Sequence, residues 1–321
     1  MEKINAVAAT AGRAECVMEV NSRRVLYEHN GDIRLPMAST TKIATAITAI
    51  EECEDLAREI RMPKEAVGVE GSSIYAQEGE VYTLKDLLYG LMLRSGNDAA
   101  TAIALSVGGS VENFAAMMNQ TAQKAGALAT NFVNPHGLPD REHYTTARDL
   151  SYIACFAMQN EKFREIVATK YYAPRAWKNK NKLLDRYEGG CGVKTGYTKE
   201  AGRCLVSAAS REKMTLVCTL LNCSQTYERT EELFDDSFAA YEYTRLLSAD
   251  EQIEINVNGK RVKGVTKEEF YYPLLQEEKE LIEIKSKAVR GAANKQKDEI
   301  IGQFQIYLSK QLLFSGNLYK L

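Results

Sequence analysis

The chain has 321 residues, of which 45% are hydrophobic and 26% charged, and its formal net charge is −2. This composition is typical of a globular protein with a sizeable core, and the length predicts one large domain and one small domain. The near-neutral charge excludes the basic surface of a nucleic-acid-binding protein, so we expect no nucleic-acid partner. No uncharged apolar run reaches the roughly 18 residues that a membrane-spanning helix requires.

The cysteines and histidines do not indicate a metal site. Seven cysteines are scattered without a CxxC pair, only three histidines are present, and no His-Glu-x-x-His helix occurs. We therefore expect neither a metal nor another cofactor. The cysteines are interpreted as small, buried, reduced residues.

The first predicted elements are a strand pair and a helix. Residues 15–20 and 25–27 are predicted to be strands, with a hairpin turn at the polar residues 21–24. A helix is predicted after Pro36, because Ile43, Ile47 and Ile50 recur on one helical face. Ser39 stands at the start of that helix.

Four further helices are predicted in the first half of the chain. Leucines at 84, 87, 88 and 91 show a 3.6-residue spacing, and the segments 99–107 and 111–125 are separated by two glycines. Residues 146–159 are predicted to form the last of these helices.

The pattern then changes to strands. Residues 191–195, 203–209 and 214–222 are short runs rich in Val, Leu and Thr, which predicts sheet strands, and 227–247 is predicted to be a long closing helix. Helices gathered against strands from both ends of this region predict an α+β domain with a mostly antiparallel sheet.

From residue 249 the alternation of apolar and polar residues indicates a separate small β-rich domain. Ile253, Ile255 and Val257 alternate with polar residues, and Asn258-Gly259 predicts a two-residue hairpin turn. The sequence thus predicts a segment 1–13 that is disordered or the remnant of a signal, a main domain over 14–248 and a β-rich domain over 249–321.

The first chemical motif is Ser39-Thr40-Thr41-Lys42. A Ser and a Lys three residues apart on a helix lie on one face, where the amine can take the hydroxyl proton if its pKa is lowered. At a helix start, backbone N–H groups can also stabilise an oxyanion. A second copy, at residues 210–213, is interpreted as a solvated turn because it joins two apolar strands.

Two more motifs follow in the chain. Ser95-Gly96-Asn97 lies just past the leucine-rich helix, where one loop can present a hydroxyl and an amide to a peptide; a copy at 315–317 is predicted to be a β-turn. Lys194-Thr195-Gly196 ends a predicted strand, where Lys and Thr can hold a carboxylate and Gly permits close backbone approach.

The order of the three motifs is decisive. A Ser-x-x-Lys on a helix, a Ser-x-Asn on a loop and a Lys-Thr-Gly on a strand form the signature of β-lactamases and penicillin-binding proteins. The chain resembles the D-alanyl-D-alanine carboxypeptidases, low-molecular-weight penicillin-binding proteins, over about residues 14–247. The resemblance is carried by the segments PMASTTKIATA, LMLRSGNDAATAIA, NFVNPHGLPDREHYTTARDL and GVKTGYT.

This resemblance implies a β-lactamase/transpeptidase-like fold and a set of residue roles. The substrate is expected to be a peptidoglycan stem peptide ending in D-Ala-D-Ala, with β-lactams as acylating antibiotics. The implied catalytic residues are Ser39 as nucleophile, Lys42 as base and Ser95 as proton relay. The implied substrate-binding residues are Asn97, Lys194, Thr195, Gly196 and Tyr197, with the N–H groups of Ser39 and Tyr197 forming the oxyanion hole. Relatives often carry His where Tyr197 stands.

The resemblance also implies an extracytoplasmic location, on the cell-wall side of the membrane. This location is inferred from the substrate, because the sequence shows no clear signal peptide. Membrane association of the native protein is compatible with the family, although no anchor is visible in this chain.

Three alternative functions stay open at this point. A class A β-lactamase would need a Glu on a loop after the second motif, and residues 134–143 lack the expected Glu-x-x-Leu-Asn pattern. The sequence hardly distinguishes a D,D-endopeptidase from a D,D-carboxypeptidase. A non-turnover sensor would acylate without releasing its product.

Overall fold

The computed structural model describes residues 12–257 and 259–321. Almost all of the predicted segment 1–13, and Asn258 of the predicted hairpin turn, lie outside the described residues. The chain divides into two compact units, one ending at Ser237 and one formed by Phe238–Leu321, whereas the sequence predicted the boundary at residue 248.

The first unit is built around a five-stranded antiparallel sheet with the order β2-β1-β9-β8-β7, so strands from both ends of the unit lie side by side. This confirms the predicted mostly antiparallel sheet and the strands at both ends. Two short hairpins, β3 with β4 and β5 with β6, accompany it. The strands are β1 Ala14–Glu19, β2 Val25–His29, β3 Glu59–Arg61, β4 Val81–Thr83, β5 Tyr171–Tyr172, β6 Trp177–Lys178, β7 Gly190–Thr198, β8 Gly202–Arg211 and β9 Met214–Leu221.

Helices pack on this sheet and enclose the core of the unit. The predicted helices around the three isoleucines, the leucines and residues 99–107, 111–125 and 146–159 are confirmed, while α6 and the single turn α7 were not predicted. Apolar residues of α1, α3, α4 and α5 are fully buried among them. The helices are α1 Lys42–Glu52, α2 Leu84–Tyr89, α3 Asn97–Gly108, α4 Val111–Ala125, α5 Ala147–Met158, α6 Glu161–Ala168, α7 Leu183–Arg186 and α8 Thr226–Ala240.

The second unit is β-rich, as predicted. Five of its strands form an antiparallel sheet with the order β11-β12-β16-β15-β14, and β10 pairs with β13. Phe304, Ile306 and Leu318 are fully buried in its own small core. The strands are β10 Glu242–Leu247, β11 Gln252–Val257, β12 Lys260–Val265, β13 Phe270–Leu274, β14 Ile282–Ala288, β15 Ile300–Leu308 and β16 Gln311–Lys320.

Two predictions about local structure were wrong. The closing helix ends at Ala240 and not at 247, because residues 242–247 pair with β13 and their alternating side chains suit a strand. The second Ser-Gly-Asn copy is not a turn. It lies inside β16, where Gly316 faces the ring of Phe304 and leaves no room for a side chain.

Candidate active site

Ser39 lies in a 3₁₀ turn, Ala38–Thr41, that leads directly into α1. The turn is fixed by Thr40, whose hydroxyl donates to the carbonyl of Met37 at 2.6 Å. One helical turn after Ser39, the Lys42 Nζ atom lies 3.0 Å from the Ser39 hydroxyl. The predicted one-face arrangement of this Ser and Lys is therefore present in the structure.

Lys42 has two further hydrogen-bond acceptors, and they come from distant parts of the chain. Its Nζ donates to Asn97 Oδ1 and to the backbone carbonyl of His136, both at 2.7 Å. The side chain is fully buried. Three segments, carrying residues 39, 97 and 136, therefore meet at one amine.

The electrostatic surroundings disfavour a proton on this amine. Burial, and next the nearby charges of Lys194 and Lys180, hold the pKa of Lys42 well below its ordinary value. Burial and the charge of Lys180 likewise lower the pKa of Lys194, to about 7. The like charge of Lys194 thus helps to lower the pKa of Lys42, and Lys180 is a third cation that no sequence motif indicated.

The Lys-Thr-Gly motif lies on β7, an edge strand of the central sheet, next to the turn that carries Ser39. A Cβ atom on Gly196 would lie 3.2 Å from the backbone nitrogen of Ser39, so this strand passes close to the nucleophile. Lys194 is buried and its Nζ donates to the carbonyl of Thr195 at 2.9 Å. Tyr197 is 65% exposed and projects from the same strand.

The Ser-x-Asn motif is only partly a loop. Ser95 is buried and has a left-handed backbone with φ of 64°, but Asn97 is the first residue of α3. The Asn97 backbone N–H donates to the carbonyl of Ser72 at 2.7 Å, and its side-chain amide donates to the carbonyl of Glu70. Within the described residues, no hydrogen bond joins the Ser95 hydroxyl to Ser39 or Lys42.

The loop after α4 closes the site through its backbone. His136 supplies its carbonyl to Lys42, and Gly137 lies against the carbonyl of Ala38. His143 is buried, with Nε2 2.8 Å from the Thr41 hydroxyl, and burial lowers its pKa to about 4. Burial also lowers the pKa of His136, to about 3. Both imidazoles are therefore neutral at physiological pH.

Several residues that shape the site carried no recognisable sequence signal. Asp98 is buried and accepts hydrogen bonds from Ser73 and from the N–H groups of Ile74 and Ala76, which fixes the loop that holds Asn97. Arg229 has a structural partner elsewhere in the unit, because its buried guanidinium pairs with Glu15 at 2.7 Å.

A family model for D-alanyl-D-alanine carboxypeptidases, the peptidase S11 family, matches residues 1–225 of this chain. The chain belongs to the D-alanyl-D-alanine carboxypeptidase family. It is therefore related to serine peptidases, as the three motifs indicated.

Curated relatives agree with this family assignment. D-alanyl-D-alanine carboxypeptidase DacF of Bacillus subtilis is 33% identical over 73% of this chain, and the match spans 64% of DacF, less than two thirds of its length. A D-alanyl-D-alanine carboxypeptidase of Streptomyces sp. strain K15 is 36% identical over 67% of this chain and 81% of its own length.

Solved structures of the carboxypeptidase family show the same fold. Penicillin-binding protein 5 from Haemophilus influenzae superposes with a TM-score of 0.80 at 25% identity, over 98% of this chain and 97% of that one. A variant of the Streptomyces K15 DD-transpeptidase superposes with a TM-score of 0.69 at 32% identity, over 73% of this chain and all of that one. The predicted β-lactamase/transpeptidase-like fold is confirmed.

Neither a membrane-spanning helix nor a metal-binding cluster is found in the part of the chain that the structure describes. No helix there combines the length and apolar character needed to cross a bilayer. No group of three His, Cys, Asp or Glu side chains in the same residues is arranged to hold a metal ion.

Proposed function

We propose that this protein is a serine-type D-Ala-D-Ala carboxypeptidase that removes the terminal D-alanine from peptidoglycan stem peptides. The observation that carries the proposal is the geometry of Lys42. Two carbonyl oxygens at 2.7 Å accept two hydrogens of Nζ, and Ser39 Oγ occupies the remaining direction at 3.0 Å. A neutral amine in this position directs its lone pair at the serine hydroxyl, which makes Lys42 a general base.

The acylation step follows from this arrangement. Ser39 Oγ attacks the carbonyl carbon between the two D-Ala residues while its proton passes to Lys42. The backbone N–H groups of Ser39 and Tyr197 receive the developing oxyanion. Ser95 relays a proton to the departing amine, so that free D-Ala leaves and an ester on Ser39 remains. Water then hydrolyses this ester and regenerates the hydroxyl.

The binding roles are distributed over the other motifs. The Asn97 amide binds the peptide backbone, while Lys194 and Thr195 hold the terminal carboxylate and Gly196 lets the substrate backbone approach. Because the pKa of Lys194 is about 7, an incoming carboxylate stabilises the charged form of this lysine.

A hydrolytic β-lactamase is disfavoured by the loop after α4. That loop reaches Lys42 with a backbone carbonyl, that of His136, and its glutamate, Glu142, is exposed. A class A enzyme requires a carboxylate there to activate the deacylating water. We therefore expect penicillin to form a long-lived adduct on Ser39.

The location and the antibiotic partners follow from the substrate. Peptidoglycan is assembled outside the cytoplasmic membrane, so we propose that the enzyme acts on that side and is acylated there by β-lactams. Its substrates are then the stem peptides of the wall.

The proposed function is tested by release of D-Ala from a pentapeptide that ends in D-Ala-D-Ala. Wild type should release D-Ala, and Ser39→Ala should lose at least about 10³-fold in rate, because the nucleophile is gone. Ser210→Ala is the matched control, since Ser210 begins the second Ser-x-x-Lys copy on β8. Intact mass after benzylpenicillin treatment should show one adduct, which peptide mapping assigns to Ser39.

Absence of D-Ala release by wild type would refute the carboxypeptidase proposal, and an adduct on Ser210 would refute the site. Cleavage of cross-linked muropeptides would indicate an endopeptidase, and transfer of the acyl group to an added amine would indicate a transpeptidase. One structural neighbour is described as a DD-transpeptidase, which is the reason to test the amine.

A further inference from the structure

The second Ser-Gly-Asn copy, which the proposed mechanism does not use, lies in a concave part of the second unit. Ser315, Gly316 and Asn317 border two cavities there, of about 460 and 160 Å³. The larger cavity is lined by strands β14, β15 and β16, and the smaller one by β15, β16 and residues 266–268 and 270. The larger volume is in the range of cavities that bind small molecules.

The strand register sorts the residues of this region onto two faces of the sheet. Phe304 is paired with Gly316, and both face the core of the unit, because the Phe304 ring lies against the position that a Gly316 Cβ would take. Side chains alternate along a strand, so the neighbours of these two residues lie on the outer face. That face carries two cross-strand rows, one of Lys287, Gln303 and Asn317 and one of Lys285, Gln305 and Ser315. These six residues form the polar face.

The composition of β16 is unfavourable for a strand at this point. Gly and Asn are depleted in strands, and a glycine inside a strand has no side chain to pack. The sequence predicted a turn at residues 315–317, yet the pairing with β15 runs through all three. Places where a folded chain departs from its local preferences are where functional sites are expected. The polar face is therefore a candidate binding surface.

Much of the hydrogen-bonding capacity of the polar face is unused. In the part of the chain that the structure describes, the side chains of Gln303, Ser315 and Asn317 form no hydrogen bond. Gln305 Oε1 accepts the Tyr307 hydroxyl at 3.0 Å, while its NH₂ group has no acceptor among the same residues. A side-chain amide offers two donors and one acceptor oxygen, so the polar face can both give and receive hydrogen bonds.

The charges that border the larger cavity have one sign. Lys285 and Lys287 are exposed and line it, and among the described residues no carboxylate does. Lys285 also pairs with Glu283 of its own strand, at 3.1 Å, whereas Lys287 has no such partner within the residues that the structure covers. The larger cavity is therefore complementary to an anionic ligand.

The combination of uncharged amides with cations defines the chemistry of this ligand. Sugar hydroxyl and N-acetyl groups donate and accept hydrogen bonds, as the amides of Gln303 and Asn317 do. A simple polyanion would leave the amide oxygens without donors, and a neutral sugar would leave Lys287 without an anion. An acidic polymer of N-acetylated sugars supplies partners for both.

We propose that the polar face binds the glycan strands of peptidoglycan. The three amides and Ser315 bind the hydroxyl and N-acetyl groups, and the two lysines bind carboxylates carried along the strand. The class of ligand follows from the polar face, and its source in the cell wall rests on the proposed function. The second unit thereby holds the polymer whose stem peptides the first unit trims.

The test measures the affinity of the full chain for three polymers by isothermal titration calorimetry. The first is glycan strands from which an amidase has removed the stem peptides, so that they carry lactyl carboxylates and present no peptide to Ser39. Chitohexaose has N-acetylated sugars without charge, and polyglutamate has carboxylates without sugars. At about 0.15 M salt, wild type should bind the strands roughly threefold to fivefold more tightly than chitohexaose, and polyglutamate not measurably.

Variants of the polar face separate the two kinds of contact. The double change Gln303→Ala with Asn317→Ala should weaken binding of both sugar polymers roughly tenfold, because two hydrogen bonds are lost. Lys287→Gln should weaken binding of the strands roughly threefold and leave that of chitohexaose unchanged. Gln252→Ala and Lys263→Gln are the matched controls, since both residues are exposed on β11 and β12 of the same sheet and border neither cavity. They should bind all three polymers as wild type does.

Three results would overturn the proposal. Wild type could fail to bind the strands, or the Gln303 and Asn317 double variant could bind them as tightly as wild type does. Polyglutamate could bind as tightly as the strands, which would show an unspecific anion surface. A dimer in sedimentation equilibrium that Lys287→Gln dissociates would identify a second copy of the chain as the occupant instead.

This binding assay does not depend on turnover, so the two proposals can fail separately. If wild type releases no D-Ala yet binds the stripped strands with the expected order of affinities, the proposed function fails while the glycan-binding role stands. Release of D-Ala without any binding of the strands would refute the role of the polar face alone.

Discussion

The chemistry of the site depends on the protonation of two buried lysines. Lys42, at the start of α1, is shielded from solvent and contacts Ser39. Lys194 lies on strand β7, and its pKa is lowered to about 7. The proposed mechanism requires the free amine of Lys42 as base and the ammonium form of Lys194 to hold the substrate carboxylate. We therefore expect activity to rise with pH as Lys42 loses its proton, and to fall as Lys194 loses its own.

Lys180 provides a direct test of this electrostatic model. Its charge lowers the pKa of both lysines, so Lys180→Met should raise both pKa values and move both limbs of the pH profile to more alkaline pH, by roughly half a unit. The measurement is the second-order rate of Ser39 acylation by benzylpenicillin between pH 5 and about 10.

Lys180→Arg keeps the charge and should restore the wild-type profile. An unchanged or acid-shifted profile in Lys180→Met would show that this charge does not act on the two lysines.

The loop after α4 is the element that joins α1 to the rest of the site. At Gly137, which has φ of 87°, an added Cβ would lie 1.9 Å from the carbonyl oxygen of Ala38. No side chain fits there unless the loop withdraws from the Ser39 turn. Withdrawal would remove the His136 carbonyl from Lys42, because the two residues are adjacent.

Gly137→Ala should accordingly reduce the rate of Ser39 acylation by at least about 100-fold, the effect expected when a catalytic group is displaced by about 1 Å. Gly126→Ala is the control for backbone strain. Gly126 ends α4 with φ of 91° and has no atom within 4 Å of the added Cβ. It should lose about 1 kcal/mol of stability and keep the wild-type acylation rate. Equal acylation rates in the two variants would contradict this role of the loop.

At the scale of the whole molecule, a buried ion pair joins the two ends of the first unit. Glu15 on β1 accepts hydrogen bonds from two nitrogens of Arg229 on α8, from Nη2 at 2.7 Å and from Nε at 3.1 and 3.2 Å, and both side chains are almost completely buried. Tyr27 on β2 completes the cluster, since its hydroxyl lies 2.9 Å from Arg229 Nη2. Residues more than 200 positions apart are thus paired where little solvent screening occurs.

Removing one member of this pair leaves a buried charge without its partner. Arg229→Met should lower the free energy of unfolding by about 3–5 kcal/mol, and the double change Glu15→Leu with Arg229→Met should recover much of that loss. Trp177, the single tryptophan, lies in the first unit, so its fluorescence during urea denaturation reports the stability of this unit.

Arg186→Met is the exposed counterpart, because Arg186 pairs with Glu228 and Glu231 on the same helix α8. It should cost less than about 1 kcal/mol. A loss for Arg229→Met no larger than that for Arg186→Met would show that the buried pair contributes little.

Much of the fold could be predicted from residue periodicity. The leucine spacing of α2 and the Val-rich runs of β7, β8 and β9 have local causes, since a helix or strand buries one face of its own sequence. The prediction failed after Ala240, where strand β10 is formed by pairing with the distant β13. The hydrogen-bond partners of β10 cannot be recognised from the residue pattern of β10 itself.

The sequence by itself determined the chemistry of the protein: Ser39, Asn97 and Lys194, in the right motifs and order, indicated a serine acyl-transfer site. Only the tertiary structure decided how that chemistry is controlled. The His136 carbonyl that helps to orient Lys42 and the charge of Lys180 that shifts its pKa have no motif, because any residue has a carbonyl and exposed lysines are common. Their effect depends on distance and burial, which exist only once the chain is folded.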